Sequence, residues 1–175
     1  MKKSLSFLFA LAIFAIYHEA MHAIIAMLFG EYDSFHVRPF GLEITFKTPV
    51  AERSGFQWAL ISGTSNLATL MAGYGLLMAS ERASRLHQMF LKVTFYYLTL
   101  LFLLLDALNL SIGPFLYGGD ANGIAVGLGV NRYLIQAFFF LTLLANRELV
   151  AQKLLPAFHV RTDHFLLRPW ITIRC

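Results

Sequence analysis

The chain has 175 residues, 58 % of them hydrophobic and only 14 % charged, and its mean hydropathy is +0.63. A soluble domain carries about 25 % charged residues, so this composition excludes an ordinary soluble fold and leaves room for roughly four membrane helices of about 20 residues each. The net charge of +4 is modest and scattered through apolar segments, which excludes a nucleic-acid surface and fits basic loops beside a bilayer, while one cysteine, Cys175, excludes an internal disulfide and a cysteine-based metal site.

The first hydrophobic run predicts a helix over residues 4–29, stopped at Gly30. Lys2 and Lys3 precede it as in a secretory signal. A signal's apolar region is only about 7–15 residues long and ends in cleavage, whereas this run is longer and carries His18-Glu19-Ala20-Met21-His22, so we read it as a retained span. On a helix, positions i and i+4 share a face roughly 5–6 Å apart, close enough for two imidazoles to hold one metal ion. Zinc is the natural occupant, because it takes two histidines and a carboxylate and leaves a fourth position open. Glu19 stands beside that open position, placed to hydrogen-bond water. The flanks FLFALAIFAIY and AIIAMLF offer these residues no other polar partner, and ionisable groups inside spanning segments are rare and usually functional. The competing reading is a partly aqueous helix end with two unrelated histidines.

Residues 33–50 change character. Alternation through Leu42, Glu43, Ile44, Thr45, Phe46 and Lys47 predicts a short β-hairpin with its turn at Pro39-Phe40-Gly41. A strand edge facing lipid is not tolerated, so the hairpin should lie at the interface or against protein. Its edge, Glu43 included, could pair with an extended substrate; a plain connecting hairpin is the alternative. A second helix is predicted over 56–79. Its Gly63, Ser65, Asn66, Gly73 and Gly75 are small or polar residues of the kind that let membrane helices approach closely. Asn66 would either bond across helices or contact substrate. The loop Ser80–Gln88 reads as solvated.

A third helix is predicted over 89–108, interrupted near its end by Asp106 and Asn109. The segment from Ser111 to Gly123 contains Gly113, Pro114, Gly118, Gly119 and Asp120. Such irregular backbone is allowed in a membrane where it is buried or lines a wet cavity. Asp120 would then precede a fourth helix, running from Ile124 or Asn131 through Ala145 (124–145 at its longest), whose N-terminus favours a carboxylate, and it is a good third metal ligand. The expected fold is therefore an all-α polytopic membrane protein of about four transmembrane helices with an interfacial β-hairpin between helices one and two. Residues 1–147 form the core, and residues 148–175 an interfacial or cytoplasmic tail.

These motifs resemble the site-2-protease family of intramembrane zinc metallopeptidases. HEAMH matches that family's zinc helix, Ser62 to Asn66 (SGTSN) looks like its small-residue and Asn signature, and Asn109…Pro114…Asp120 looks like its last motif. The spacing between Asn109 and Asp120 is longer than the family pattern, and the glycine pair precedes the Asp, so Asp106 is a rival third ligand. The chain would be a divergent, minimal member without a PDZ or nucleotide-sensing (CBS) domain. The resemblance implies zinc on His18, His22 and Asp120, Glu19 as general base, and Asn109 or Asn66 positioning the substrate backbone or the oxyanion. It implies hydrolysis of peptide bonds within or near transmembrane segments of a membrane-protein substrate in a prokaryotic cell membrane. Homo-oligomers are compatible with it.

Positive charge favours both termini inside, whereas relatives commonly face their zinc toward the cytoplasm; the two indications disagree. Competing functions are a non-proteolytic metal-binding protein or carrier, for which helices two and four offer few ligands, and a structural subunit with an inactive site, which an intact Glu19 argues against.

Overall fold

A computed structural model describes residues 2–38, 41–116 and 119–171. Pro39 and Phe40 of the predicted turn, Gly118 of the glycine-rich segment and Cys175 lie outside the described residues. The elements run α1 (Lys2–Leu28), β1 (Tyr32–Arg38), β2 (Gly41–Phe46), α2 (Gln57–Met78), α3 (Ser80–Ser84), α4 (Met89–Ser111), α5 (Gly119–Leu128) and α6 (Arg132–Leu149). A π-turn over Val150–Leu154 and a last helical turn over Leu155–Ala157 prolong α6.

α1 is apolar all round, and burial divides its surface. Ser6, Ala10, Phe14, His18, His22 and Ala26, each four residues from the next, turn inward. Leu5, Leu8, Phe9, Ile16, Ile24 and Met27 stay exposed, as a lipid-facing surface would. α4 runs parallel to α1: Ser6 Oγ donates to Phe90 O, the rings of Phe14 and Phe102 meet at 5.5 Å, and His18 reaches Asp106. α2 lies antiparallel between them, with Ile61 beside His22 and Gly73 against Phe102. A Cβ at Gly73 would sit 3.1 Å from the Phe102 backbone, so the small residue sets that crossing distance. α6 returns antiparallel to α4. Gln136 Nε2 donates to Ser111 O at 2.9 Å, and Asn146 Nδ2 donates to Leu103 O at 2.7 Å. Asn146 also accepts from Tyr74 at 2.7 Å, so one fully buried amide joins α2, α4 and α6.

The hairpin is present. β1 and β2 pair antiparallel with Phe35 opposite Ile44, His36 opposite Glu43 and Val37 opposite Leu42. It is tied to the start of α2 by Phe46, packed edge-on against Trp58, and by the Arg53 guanidinium lying over both rings at 4.9 and 4.4 Å. Among the described residues β2 has β1 as its sole strand partner, which leaves its second edge without one.

Among the described residues three helices are long and apolar enough to cross a membrane: Lys3–Leu28, Met89–Phe115 and Arg132–Ala157. Four were expected, and α2 is the difference. It has the length, but Ser62, Ser65, Asn66, Thr69 and its glycines lower its apolarity, and most of those polar side chains are turned into the bundle. The predicted fourth helix is two helices. Gly129, at φ 66°, takes the left-handed conformation that ends α5, and Asn131 caps α6 by accepting from Tyr133 N–H at 2.9 Å. The loop read as solvated contains the short α3. Residues 148–157, read as the start of an interfacial or cytoplasmic tail, continue α6. Arg147 and Glu148 then fasten the segment that follows. The Arg147 guanidinium donates to Leu166 O at 2.7 Å and lies 3.9 Å from the Trp170 ring, while Glu148 accepts from the backbone N–H groups of Trp170 and Ile171.

Candidate metal centre

His18 and His22 point from α1 toward α4 and α2, and the start of α5 brings Asp120 to meet them. His18 Nε2 and His22 Nε2 are 3.1 Å apart; Asp120 Oδ2 is 3.5 Å from the first and 3.3 Å from the second. His18, His22 and Asp120 thus form a group that could hold a metal ion. Ligands about 2.0–2.1 Å from a tetrahedral ion lie about 3.3–3.4 Å from one another, and this triangle has that size.

Hydrogen bonds on the far side of each ring decide which nitrogen faces the triangle. His22 Nδ1 is 2.7 Å from Ile61 O. A carbonyl can only accept, so Nδ1 carries a proton, and in the neutral ring Nε2 then presents its lone pair. His18 Nδ1 lies 3.2 Å from Asp106, which likewise accepts from Nδ1–H and leaves the lone pair of the neutral ring on Nε2. Asn66 Nδ2 donates to Asp120 Oδ2 at 3.1 Å, and Ser65 Oγ, 2.9 Å from His22 Nε2, is turned to the same lone pair. Two imidazole lone pairs and a carboxylate therefore converge in a buried place. The cavity wall around them includes Glu19 and Glu43 but no Lys or Arg. The negative charge there can be balanced by protons on the imidazoles or by a bound cation.

α2 props His22 through Ile61 and Ser65 and Asp120 through Asn66, and its close approach to α5 makes the second possible. A Cβ at Gly123 would fall 1.9 Å from Ser62 Oγ, and one at Gly127 2.1 Å from the backbone N of Ala59. The pair Gly123 and Gly127 lets the two helix backbones nearly touch. Asp120, one turn before Gly123, is thereby laid against Asn66.

The group is reachable. A cavity of about 500 Å³ is lined by His18, Glu19, His22, Leu42–Ile44, Phe46, Asn109, Gly119 and Asp120. Glu19 is half-buried on its wall, with the backbone N–H of Ile44 facing its carboxylate. A second cavity of about 470 Å³ lies between α1 and α4. It is mostly apolar, through Phe14, Leu105, Leu108, Ile112 and Leu116, and reaches His18, Glu19, Asp106 and Asn109.

The structure therefore gathers most of the residues singled out in the sequence, in different positions. Glu19 and Asn109 line the cavities; Asn109 stands on both walls. Glu43 lines the first cavity from β2, its carboxylate paired with Arg38 Nε at 2.7 Å. Asn66 is fully buried behind Asp120 rather than on a wall. Asp106 is only 2 % exposed and lies behind His18, at Nδ1 instead of Nε2. Sequence reasoning did not single out Ile61, whose backbone oxygen carries the role, or Thr69, whose hydroxyl donates to Asp106 Oδ2. Thr69 sits one helical turn after Asn66, and that periodicity is the signal that could have found it.

These features define a class: an apolar helical bundle with a buried two-histidine, one-carboxylate group able to hold a metal ion, opening on a cavity beside a β-strand. No family model, curated protein or solved structure matches the chain.

Proposed function

We propose that the protein is a multi-pass intramembrane zinc endopeptidase, similar to the site-2-protease family, that cuts a transmembrane protein or peptide within or near its spanning segment. The observation that carries this reading is the convergence of His18 Nε2, His22 Nε2 and Asp120 Oδ2 on one point beside the Glu19 carboxylate, next to an open cavity. The residues fit zinc in type, number and spacing. When bound, zinc supplies Lewis acidity, polarising a carbonyl and lowering the pKa of water toward ~7.

The chain's own residues account for the rest. Glu19 Oε is placed to take a proton from the attacking water and return it to the leaving amide nitrogen. Asn109, on the wall of both cavities, can donate its side-chain N–H to the developing oxyanion or to the substrate backbone. Asn66 holds Asp120 in place. An intact helix hides its peptide bonds, so the substrate must unwind, and the second edge of β2 offers backbone groups to an extended segment. Glu43 lies along that strand, where its ion pair with Arg38 would meet the substrate's polar flank. The apolar cavity between α1 and α4 gives a lateral approach from lipid. The distribution of positive charge supports both termini inside, which would turn the Leu28 end of α1 outward.

The test is cleavage of a synthetic transmembrane peptide by the protein reconstituted in vesicles. New termini should form, cease with a zinc chelator and return with added zinc. Zinc-loaded protein that cuts no member of a peptide panel would favour the reading of a non-proteolytic metal-binding protein.

A further inference from the structure

We infer that Asp106 is a positioning residue that sets the metal affinity of the centre through His18. The inference rests on the metal-binding reading above. Both carboxylate oxygens of Asp106 lie 3.2 Å from His18 Nδ1. They are on the opposite side of the ring from Asp120, so Asp106 and Asp120 cannot share one ion. Asp106 is buried to 2 % exposure in the apolar seam of α1, α2 and α4, where an unpaired carboxylate would be strongly disfavoured. Its partners in that seam are the imidazole N–H and the Thr69 hydroxyl, which donates to Oδ2 from α2.

The two histidines are therefore held differently. His22 donates to a neutral backbone carbonyl, Ile61 O. His18 donates to a carboxylate, which fixes the ring more firmly and makes Nε2 the more basic ligand. An amide in place of that carboxylate removes the charge. It can also turn its NH2 toward Nδ1 and select the opposite tautomer, which would put a proton where the metal ligand lone pair must be. Thr69 Oγ1 has two acceptors within reach, Asp106 Oδ2 and Asn66 O at 2.8 Å, so its hold on the carboxylate is the weaker of the two.

The experiment is competition titration with cobalt(II) on the detergent-solubilised full chain, comparing wild type, Asp106→Asn and Thr69→Val, with the visible cobalt spectrum recorded at saturation. Asp106→Asn should bind about 10–100-fold more weakly, with the four-coordinate spectrum of the wild type retained once saturated. Thr69→Val should weaken binding in the same direction by less. A merely structural role would lower the unfolding temperature of the metal-free protein without this selective loss. Wild-type affinity in Asp106→Asn would overturn the inference. A changed cobalt spectrum at saturation would overturn it too, because Asp106 would then be a ligand. Should Asp106→Asn fail to fold, Thr69→Val decides: weaker cobalt binding supports the inference and unchanged binding overturns it. A wild type that takes up no cobalt overturns the metal reading itself, and this inference with it.

Discussion

Glu19→Gln should leave metal content unchanged and lower peptide cleavage by about 10²–10⁴-fold, the range that a positioned proton-transfer group contributes. Glu19 lies outside the His18–His22–Asp120 triangle but on the wall of the same cavity. The amide keeps the size and the hydrogen-bonding reach of the side chain, so packing against α1 and β2 is preserved. What it loses is the ability to accept a proton from water and pass it on. Turnover of a transmembrane peptide, measured beside metal stoichiometry on the same preparation, separates the possibilities. A fully active variant would remove Glu19 from the mechanism, and a metal-free one would make it part of the binding site.

Gly127→Ala should damage both the fold and the metal centre, although alanine is the better helix former by about 1 kcal/mol. The added Cβ would fall 2.1 Å from the backbone N of Ala59, and a backbone atom cannot swing aside as a side chain can. α5 would have to move off α2, at a cost at or above the upper end of the ~1–3 kcal/mol typical of overpacking. Because Asp120 rides on the same helix, the shift would carry its carboxylate away from Asn66 and from the two imidazoles. Gly123→Ala should be milder, since part of its clash is with the Ser62 hydroxyl. Gly75→Ala is the control: nothing lies within 4 Å of its Cβ position, so it should be neutral or slightly stabilising. Thermal unfolding in detergent and zinc retention would be read together. A Gly127→Ala protein as stable and as metal-competent as the wild type would mean that the close α2–α5 crossing does not hold Asp120.

The contrast between Asp120 and Asp106 shows how far the sequence reaches. The pair His18 and His22 was legible because helical spacing alone puts them on one face. The carboxylate was legible as a preference for Asp120, which a glycine-rich segment could bring in, while the place of Asp106 depends on registers between helices. The parallel alignment of α1 with α4 sets Asp106 behind His18, and two glycines on α5 bring Asp120 in front. The β-hairpin was visible as a change of period after Gly30. The start of the last long helix was legible only as a choice between Ile124 and Asn131: in an apolar run Gly129 reads as tolerated, and its positive φ is what ends α5 and leaves Asn131 to cap α6. The second helix was counted as a span from its length, whereas its polar and small residues are what connect it to the site. Asn66, Thr69 and the backbone oxygen of Ile61 are the outcome of that arrangement. A backbone atom leaves no trace in residue type.

The central claim is that His18, His22 and Asp120 bind one zinc ion. It is tested most directly by elemental analysis of the purified protein, wild type beside His22→Ala and Asp120→Ala. About one zinc per wild-type chain is expected, and essentially none in either variant. Zinc retained in Asp120→Ala, or no metal taken up by the wild type when zinc is supplied, would contradict it.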